Sequence, residues 1–248
     1  MGSEMCIRDS FQIGLKTLEA MINEHTQAVI INSPNNPSGV VFSRETLEKV
    51  AAILTKKSEE LGRPVYLISD EPYRELVYDG VEVPWVPSIY KDTLVCYSYS
   101  KSLSLPGERI GYVYVPEKMT DAKEMFAAIA GASRVIGHVC PPTLIQRVVA
   151  RCAYEKPDLE AYDVNRKLLY NGLKKIGYEC ASPDGAFYLF VKAPGGDGKA
   201  FSEKCKLKNL LVVPSDDFGV EGYFRLCYCV AKETIEKSLP IFEEVFNA

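Results

Sequence analysis

Three short apolar runs, each followed by polar residues, constrain the fold of this 248-residue chain more than any other feature. They lie at residues 28–31, 65–68 and 93–97, and none alternates between apolar and polar side chains. Continuous runs of this kind are typical of parallel strands that are covered on both faces. A fourth run, at 110–115, stops at Pro116. The pattern predicts an α/β fold with a mostly parallel sheet covered by helices.

A helical pattern separates the first two strand signals. Ser43 can cap this helix, and Gly62 is placed to end it. One apolar face is predicted for it, made of Leu47, Val50, Ala51 and Leu54. Strands separated by helices in this way indicate crossover connections between parallel strands.

The second half of the chain has a different order of signals. Helical patterns at 120–152 and 158–176 precede three clustered strand signals, at 187–191, 210–213 and 223–230. The last helix contains Pro240, which we expect to kink or split it, and the glycine-rich stretch at 194–198 is interpreted as a surface turn.

The change of pattern predicts two domains and a leader. The order of signals indicates an α/β domain at residues 11–154 and a smaller α+β domain at residues 155–248. Residues 1–10 match no pattern that follows, and we interpret them as a non-native leader.

Composition narrows the class of protein. Lys and Arg number 29 against 33 Asp and Glu, a net charge of −4 without a basic block, which argues against a nucleic-acid partner. The eight cysteines include no Cys-x-x-Cys pair, so no metal site is expected and the thiols fit a reducing cytosol. No apolar run reaches the ~18 residues of a membrane span, and no signal peptide opens the chain. We expect a cytoplasmic protein with no membrane partner.

Polar side chains follow the ends of three successive predicted strands. Ligands bind outside the carboxyl ends of strands in parallel sheets, so topology brings these groups to one edge. An amine, a carboxylate, an amide, a phenol and a hydroxyl meet there, and together they suit pyridoxal 5'-phosphate. The residues are Asn36, Asp70, Tyr73, Ser98 and Lys101, with Arg109 a short way downstream.

Taken singly, each of these residues has a simpler interpretation. Lys101 could be a solvated lysine in a turn, and Asp70 could cap a helix. Asn36 could form an Asx-turn, and Tyr73 could be a packing residue. The occurrence of all these residues at one predicted sheet edge favours a ligand-binding site.

Four motifs resemble, in order and spacing, those of the class I/II aminotransferases, which are fold-type I pyridoxal-phosphate enzymes. They are the stretches at 33–39, 69–73, 98–101 and 107–111. The stretch 223–226 resembles the family's substrate-carboxylate arginine motif. The resemblance covers about residues 11 to 248 and implies an aspartate-aminotransferase-like protein of the type I fold.

The resemblance also implies a role for each candidate residue. Lys101 would form the Schiff base with the cofactor and shuttle the proton at the substrate Cα. The pyridine nitrogen would pair with Asp70, and the ring's phenolic oxygen would contact Tyr73 and Asn36. The phosphate would bind Ser98 and Arg109.

Arg225 would bind the substrate α-carboxylate, and the residues around it support an anion partner independently. In a strand it shares one face with Cys227 and Cys229, which we interpret as packing residues. A guanidinium on so apolar a strand needs an anion, which could equally be a structural Asp or Glu.

The family's larger members carry an N-terminal portion that supplies further strands and cofactor contacts, and they act as homodimers. We therefore expect this chain to be a fragment of a longer enzyme, poorly stable and weakly active or inactive. The leading function is transfer of an amino group from an L-amino acid, with aspartate or glutamate favoured, to a 2-oxo acid. The alternatives are a carbon–sulfur lyase, a non-catalytic cofactor-sensing domain and an inactive fragment.

Overall fold

The computed structural model describes residues 11–248, so the predicted leader at 1–10 lies outside the described residues. Two sheets and their helices form the described chain. The strands are β1 (Ala28–Asn32), β2 (Tyr66–Asp70), β3 (Thr93–Ser98), β4 (Gly111–Tyr114), β5 (Tyr188–Lys192), β6 (Val213–Pro214) and β7 (Tyr223–Cys227). The helices are α1 (Leu15–Met21), α2 (Arg44–Leu61), α3 (Tyr99–Ser102), α4 (Ala122–Val135), α5 (Thr143–Cys152), α6 (Leu159–Ile176), α7 (Gly198–Lys206) and α8 (Lys232–Phe246).

The first sheet has the order β1-β2-β3-β4, and its first three strands are parallel. Only β4 runs antiparallel to its neighbour. Asn32, the last residue of β1, pairs with Asp70, the last residue of β2, and Asp70 pairs with Cys96 near the end of β3. The predicted mostly parallel α/β sheet is therefore confirmed, and three strand ends lie side by side.

Helix α2 begins and ends as the sequence predicts. The Ser43 hydroxyl accepts a hydrogen bond from the Thr46 amide at 3.1 Å, and Gly62 adopts the left-handed conformation with φ of 66°. Its buried face consists of the four predicted residues, Leu47, Val50, Ala51 and Leu54. These pack with Val65 and Leu67 of the second strand region in one core cluster.

Part of the first sheet is exposed to solvent within residues 11–248. All four residues of β4 are exposed, including Tyr112, Val113 and Tyr114. Ile30 of β1 is 70% exposed, and no residue of α4 is fully buried, although Met125 and Ile129 are half-buried.

The second sheet is antiparallel, with the order β5-β7-β6. Helices α6 and α8 pack on it, and a large aromatic core forms between them, with Tyr178, Phe224 and Phe242 at its centre. Tyr73 and Leu76, from the segment after β2, belong to the same core cluster.

Three details of this half differ from the sequence-based expectations. The strand predicted at 210–213 is reduced to the two residues of β6, and Leu211 is 80% exposed. The stretch at 194–198 is a turn, but it leads into α7, which was not predicted; the Asp197 carboxylate caps α7 by accepting from the Ala200 amide. Helix α8 runs unbroken through Pro240, because the proline and the Glu236 carbonyl that it leaves unbonded are both exposed to water.

No helix of residues 11–248 combines the length and the apolarity that crossing a bilayer would require.

Candidate active site

The loop after β1 directs the Asn36 side chain away from its own backbone. Asn32 Oδ1 accepts a hydrogen bond from the Asn36 amide at 2.7 Å, and Asn35 Oδ1 accepts from the Ser38 amide at 3.0 Å. The side chains of Asn32 and Asn35 thus accept backbone hydrogen bonds within the loop, whereas the Asn36 side chain is directed elsewhere. Its Oδ1 instead accepts from Arg225 Nη1 at 2.8 Å, across 189 residues of sequence.

Asp70 ends β2 with its carboxylate half-buried at the same edge. Asn32 Nδ2 donates to Asp70 Oδ2 at 3.1 Å and to the Asp70 carbonyl at 3.0 Å. Burial raises the pKa of Asp70, and the hydrogen bond from Asn32 opposes that rise only in part. A nearby cationic group stabilises the ionised form of a half-buried carboxylate such as this one.

Tyr73 lies just beyond Asp70 and is buried between the two halves of the chain. Its hydroxyl is 3.2 Å from the Tyr188 hydroxyl, and its ring meets Phe187 edge-on at 5.5 Å between centroids. Burial raises the pKa of the Tyr73 phenol well above its usual range, so this hydroxyl stays protonated and can donate.

Lys101 lies in the one-turn helix α3 that follows β3 directly. Its ammonium is 5.9 Å from the centroid of Tyr73 and 5.5 Å from that of Phe187, over both rings. Within residues 11–248 this half-buried ammonium makes no hydrogen bond and no salt bridge. The simpler alternative of a fully solvated turn lysine does not fit this position, because Lys101 is half-buried and lies over the rings of Tyr73 and Phe187.

Ser98 and Arg109 are close in the backbone but do not meet through their side chains. The Ser98 hydroxyl caps α3 by accepting from the Ser100 amide at 3.2 Å and lies 2.6 Å from the Ser100 hydroxyl. Arg109 has a φ of 51° and is exposed, and its Nη1 donates to the Pro106 carbonyl at 2.8 Å. The structure thus brings two hydroxyls together at the strand end, with the guanidinium turned away from them.

The Arg225 guanidinium is held by rings rather than by a carboxylate. It lies 4.6 Å from the centroid of Tyr188 and 4.9 Å from that of Phe218. Its recorded hydrogen bond is the one to Asn36, and no Asp or Glu among residues 11–248 forms a salt bridge with it. A guanidinium carries five N–H donors, so most of the Arg225 donors remain available to an anionic ligand.

Sequence reasoning missed the residues that join these groups. Asn32 could have been found, because it is a polar residue at a predicted strand end. Tyr188 and Phe218 carry no local signal, since they reach the site only through the packing of the second sheet. Cys227 and Cys229, interpreted above as packing residues, are both exposed.

The polar side chains at the carboxyl-end edge of the first sheet fit pyridoxal phosphate. Asp70 offers a half-buried carboxylate to a protonated ring nitrogen, and Tyr73 offers a neutral hydroxyl to a phenolate oxygen. Lys101 offers an amine that lies over the rings of Tyr73 and Phe187. The hydroxyls of Ser98 and Ser100 suit a phosphate, while Arg109 would have to turn from the Pro106 carbonyl to join them.

Comparison with known proteins agrees with this chemistry. Residues 4–240 match the family model described as aminotransferase class I and II. An aromatic-amino-acid aminotransferase from Thermococcus litoralis is 30% identical over 96% of this chain and 62% of its own length.

Solved structures extend the similarity to the fold. An aminotransferase from Eubacterium rectale superposes with a TM-score of 0.94 at 55% identity, over 96% of this chain and 60% of that one. The aspartate aminotransferase of Thermotoga maritima gives a TM-score of 0.82 at 31% identity, over 96% of this chain and 61% of that one. This chain thus spans about three fifths of the length of such relatives. A match over nearly all of its residues, with both sheets in the same arrangement, makes the chain a member of the class I and II aminotransferase family.

Proposed function

We propose that this chain forms the cofactor-binding and carboxylate-binding parts of an aminotransferase that moves an amino group from an L-amino acid to a 2-oxo acid. One observation carries the proposal. The Lys101 amine and the Arg225 guanidinium lie on the connected rings of Tyr73, Phe187 and Tyr188. These three rings are called the aromatic floor of the site, and we assign an amine and an anion-binding group to it, close to the Asp70 carboxylate.

Pyridoxal phosphate, when bound, supplies an aldehyde carbon that captures amines and a ring that accepts electrons released at the substrate Cα. Lys101 Nζ would be its point of covalent attachment, and once substrate has displaced this amine, it would take the proton from the substrate Cα. Asp70 keeps the ring nitrogen protonated by accepting its hydrogen bond. Tyr73 donates from its hydroxyl, and Asn36 Nδ2 remains free to donate beside it because Oδ1 is engaged by Arg225.

Arg225 is the proposed site for the substrate α-carboxylate. Its planar guanidinium can hold a carboxylate through two parallel hydrogen bonds, which orients the Cα that reacts. The guanidinium already lies against the rings of Tyr188 and Phe218, at 4.6 Å and 4.9 Å from their centroids, without a carboxylate. We favour aspartate or glutamate as the donor, supported by relatives that are named aspartate aminotransferases.

We further propose that the protein acts as a homodimer in the cytoplasm. The location is supported by the free thiols of residues 11–248, seven in number, which suit a reducing compartment. The dimer rests on the resemblance to the family. Equilibrium sedimentation of the purified protein over a range of concentrations tests it.

Covalent labelling tests the assignment of Lys101. The protein is incubated with pyridoxal phosphate, reduced with borohydride and mapped by mass spectrometry. The label is expected on Lys101, and Lys101→Ala should abolish it while Lys91→Ala leaves it intact, since Lys91 is exposed and hydrogen-bonded to Thr120. Labelling that persists in Lys101→Ala at the wild-type level would overturn the assignment.

Product analysis separates transamination from carbon–sulfur lysis. The cofactor-loaded protein is mixed with a single amino acid and no 2-oxo acid. An aminotransferase converts one equivalent and stops until an acceptor is added, whereas a lyase releases pyruvate and ammonia continuously from a sulfur-containing amino acid. Continuous release would contradict the proposed function.

A further inference from the structure

Two exposed thiols next to the candidate active site take no part in the proposed function. Cys227 ends β7 and Cys229 follows two residues later, so both project from the face opposite the buried Tyr228. Their sulfur atoms are 3.0 Å apart. Arg225 precedes them on the same face of the strand, and Tyr188 is the register partner of Cys227 on β5.

The peptide between the two thiols is fixed on both sides. The Tyr228 amide donates to the Phe187 carbonyl at 3.0 Å, and the Tyr228 carbonyl accepts from Asn165 Nδ2 at 3.1 Å. The Tyr228 hydroxyl also donates to the Ala186 carbonyl at 3.2 Å. A disulfide has a bond of ~2.05 Å, so the sulfurs of Cys227 and Cys229 need to approach by only about 1 Å.

The two thiols differ in acidity. The hydrogen bond between the two sulfurs lowers the pKa of Cys229, and desolvation opposes this only in part. The same hydrogen bond raises the pKa of Cys227. Because the thiolate is the nucleophile in thiol oxidation, Cys229 is suited to react first and Cys227 to resolve the product.

We propose that Cys227 and Cys229 form a reversible dithiol–disulfide site that is oxidised by hydroperoxides. The Cys229 thiolate attacks the outer peroxide oxygen, which breaks the O–O bond, gives a sulfenic acid and releases an alcohol or water after protonation. The Cys227 sulfur then attacks the Cys229 sulfur; the S–S bond forms, the S–O bond breaks, and hydroxide leaves as water with the Cys227 proton. Each peroxide is reduced by the two electrons that the two thiols lose.

We assign the sulfurs of Cys227 and Cys229 to thiol–disulfide chemistry rather than to metal binding. Within residues 11–248, no group of three or more His, Cys, Asp or Glu side chains is placed to hold a metal ion. Neither sulfur has a role toward the cofactor or the substrate in the proposed function.

Peptide mapping of the full chain tests the proposal without any measurement of activity. The protein is treated with hydrogen peroxide, free thiols are alkylated, and trypsin is added. Both cysteines fall in the single tryptic peptide of residues 226–232, between Arg225 and Lys232. We expect this peptide to carry no alkyl group and to be lighter by two hydrogen atoms than its dithiol form. Treatment with a dithiol reductant before alkylation should give the peptide with two alkylated thiols. A peptide that still carries two alkyl groups when the exposed Cys140 is already oxidised would overturn the proposal, as would a crosslink of either thiol to another peptide.

Single variants test the order of reaction. Cys227→Ser should leave a sulfenic acid on Cys229 that a dimedone probe captures, and more of it than forms on Cys227 in the Cys229→Ser variant at pH 7. Equal labelling of the two variants would refute the assignment of Cys229 as the nucleophile. The control Cys140→Ser should form the internal disulfide at the wild-type rate.

Discussion

Replacement of Arg166 by methionine should destabilise the chain far more than the same replacement at Lys167. Arg166 lies in α6, and its side chain is only 5% exposed. Its Nη2 donates to Asp79 Oδ2 at 2.6 Å and its Nε to Asp163 Oδ1 at 2.8 Å. Nη1 donates to the Pro183 carbonyl at 3.1 Å, and the guanidinium lies 4.7 Å from the ring centroid of Tyr78.

The magnitude follows from what the methionine removes. Loss of one partner from a buried ion pair costs about 3–5 kcal/mol, because the remaining charge is left unpaired. Asp79 is 59% exposed, so water replaces part of what it loses. We therefore expect Arg166→Met to lower the free energy of unfolding by ~2–4 kcal/mol, with the methionine retaining the apolar contact of the arginine stem.

Lys167 is a matched control because it reaches the same two carboxylates from solvent. Its Nζ is 2.6 Å from Asp163 and 3.8 Å from Asp79, but the side chain is 56% exposed. Exposed pairs contribute about 0.2–1 kcal/mol, so Lys167→Met should cost no more than this. Urea unfolding at pH 7, followed by far-ultraviolet circular dichroism, measures both. An equal loss in the two variants would refute the argument from burial.

The pH dependence gives a second check. Burial alone would raise the pKa of Asp163, but hydrogen bonds from Lys167 and Arg166 outweigh it and lower that pKa. A group whose pKa is lower in the folded state stabilises the fold above its unfolded pKa, about 3.9 for Asp, and this stabilisation is lost as the pH falls through the folded value. The difference between the wild type and Arg166→Met should therefore shrink below about pH 4.

Two further predictions concern a pair of glycines and the carboxylate site. Gly62→Ala should lower the free energy of unfolding by about 1–2 kcal/mol, because φ is 66° but an added Cβ meets no atom within 4 Å. Gly111→Ala should lower it more in the same urea assay, because its Cβ would overlap the Tyr97 carbonyl. The reverse order would contradict this reasoning. Arg225→Lys should weaken the binding of 2-oxoglutarate to the cofactor-loaded protein at least about tenfold, as measured by calorimetry, because an ammonium cannot form two parallel hydrogen bonds with a carboxylate. An unchanged affinity would argue against Arg225 as the carboxylate site.

The features that were predictable from the sequence depend on local chemistry or on topology. The hydroxyl of Ser43 and the flexibility of Gly62 define α2 without help from the rest of the chain. The alignment of Asn32 with Asp70 follows from the parallel pairing that buried apolar strands require. Any ligand site at that edge was therefore predictable in position.

What could not be predicted depends on contacts between distant segments. Asn36 meets Arg225 only after the second sheet packs against the first. Tyr188 and Phe218 both lie against the guanidinium, and no local sequence pattern marks either ring. The exposure of β4 also escaped prediction, because an apolar sequence shows what a strand could bury and not which partner is present.

Tyr73, Phe187 and Tyr188 belong both to the aromatic floor of the site and to the core on which α6 and α8 pack. Ligand binding and folding are therefore thermodynamically linked through these rings. A ligand at 100 times its dissociation constant stabilises the folded state by about 2.7 kcal/mol, a large fraction of the stability of an ordinary domain. A cofactor that binds against these rings would therefore also stabilise the fold.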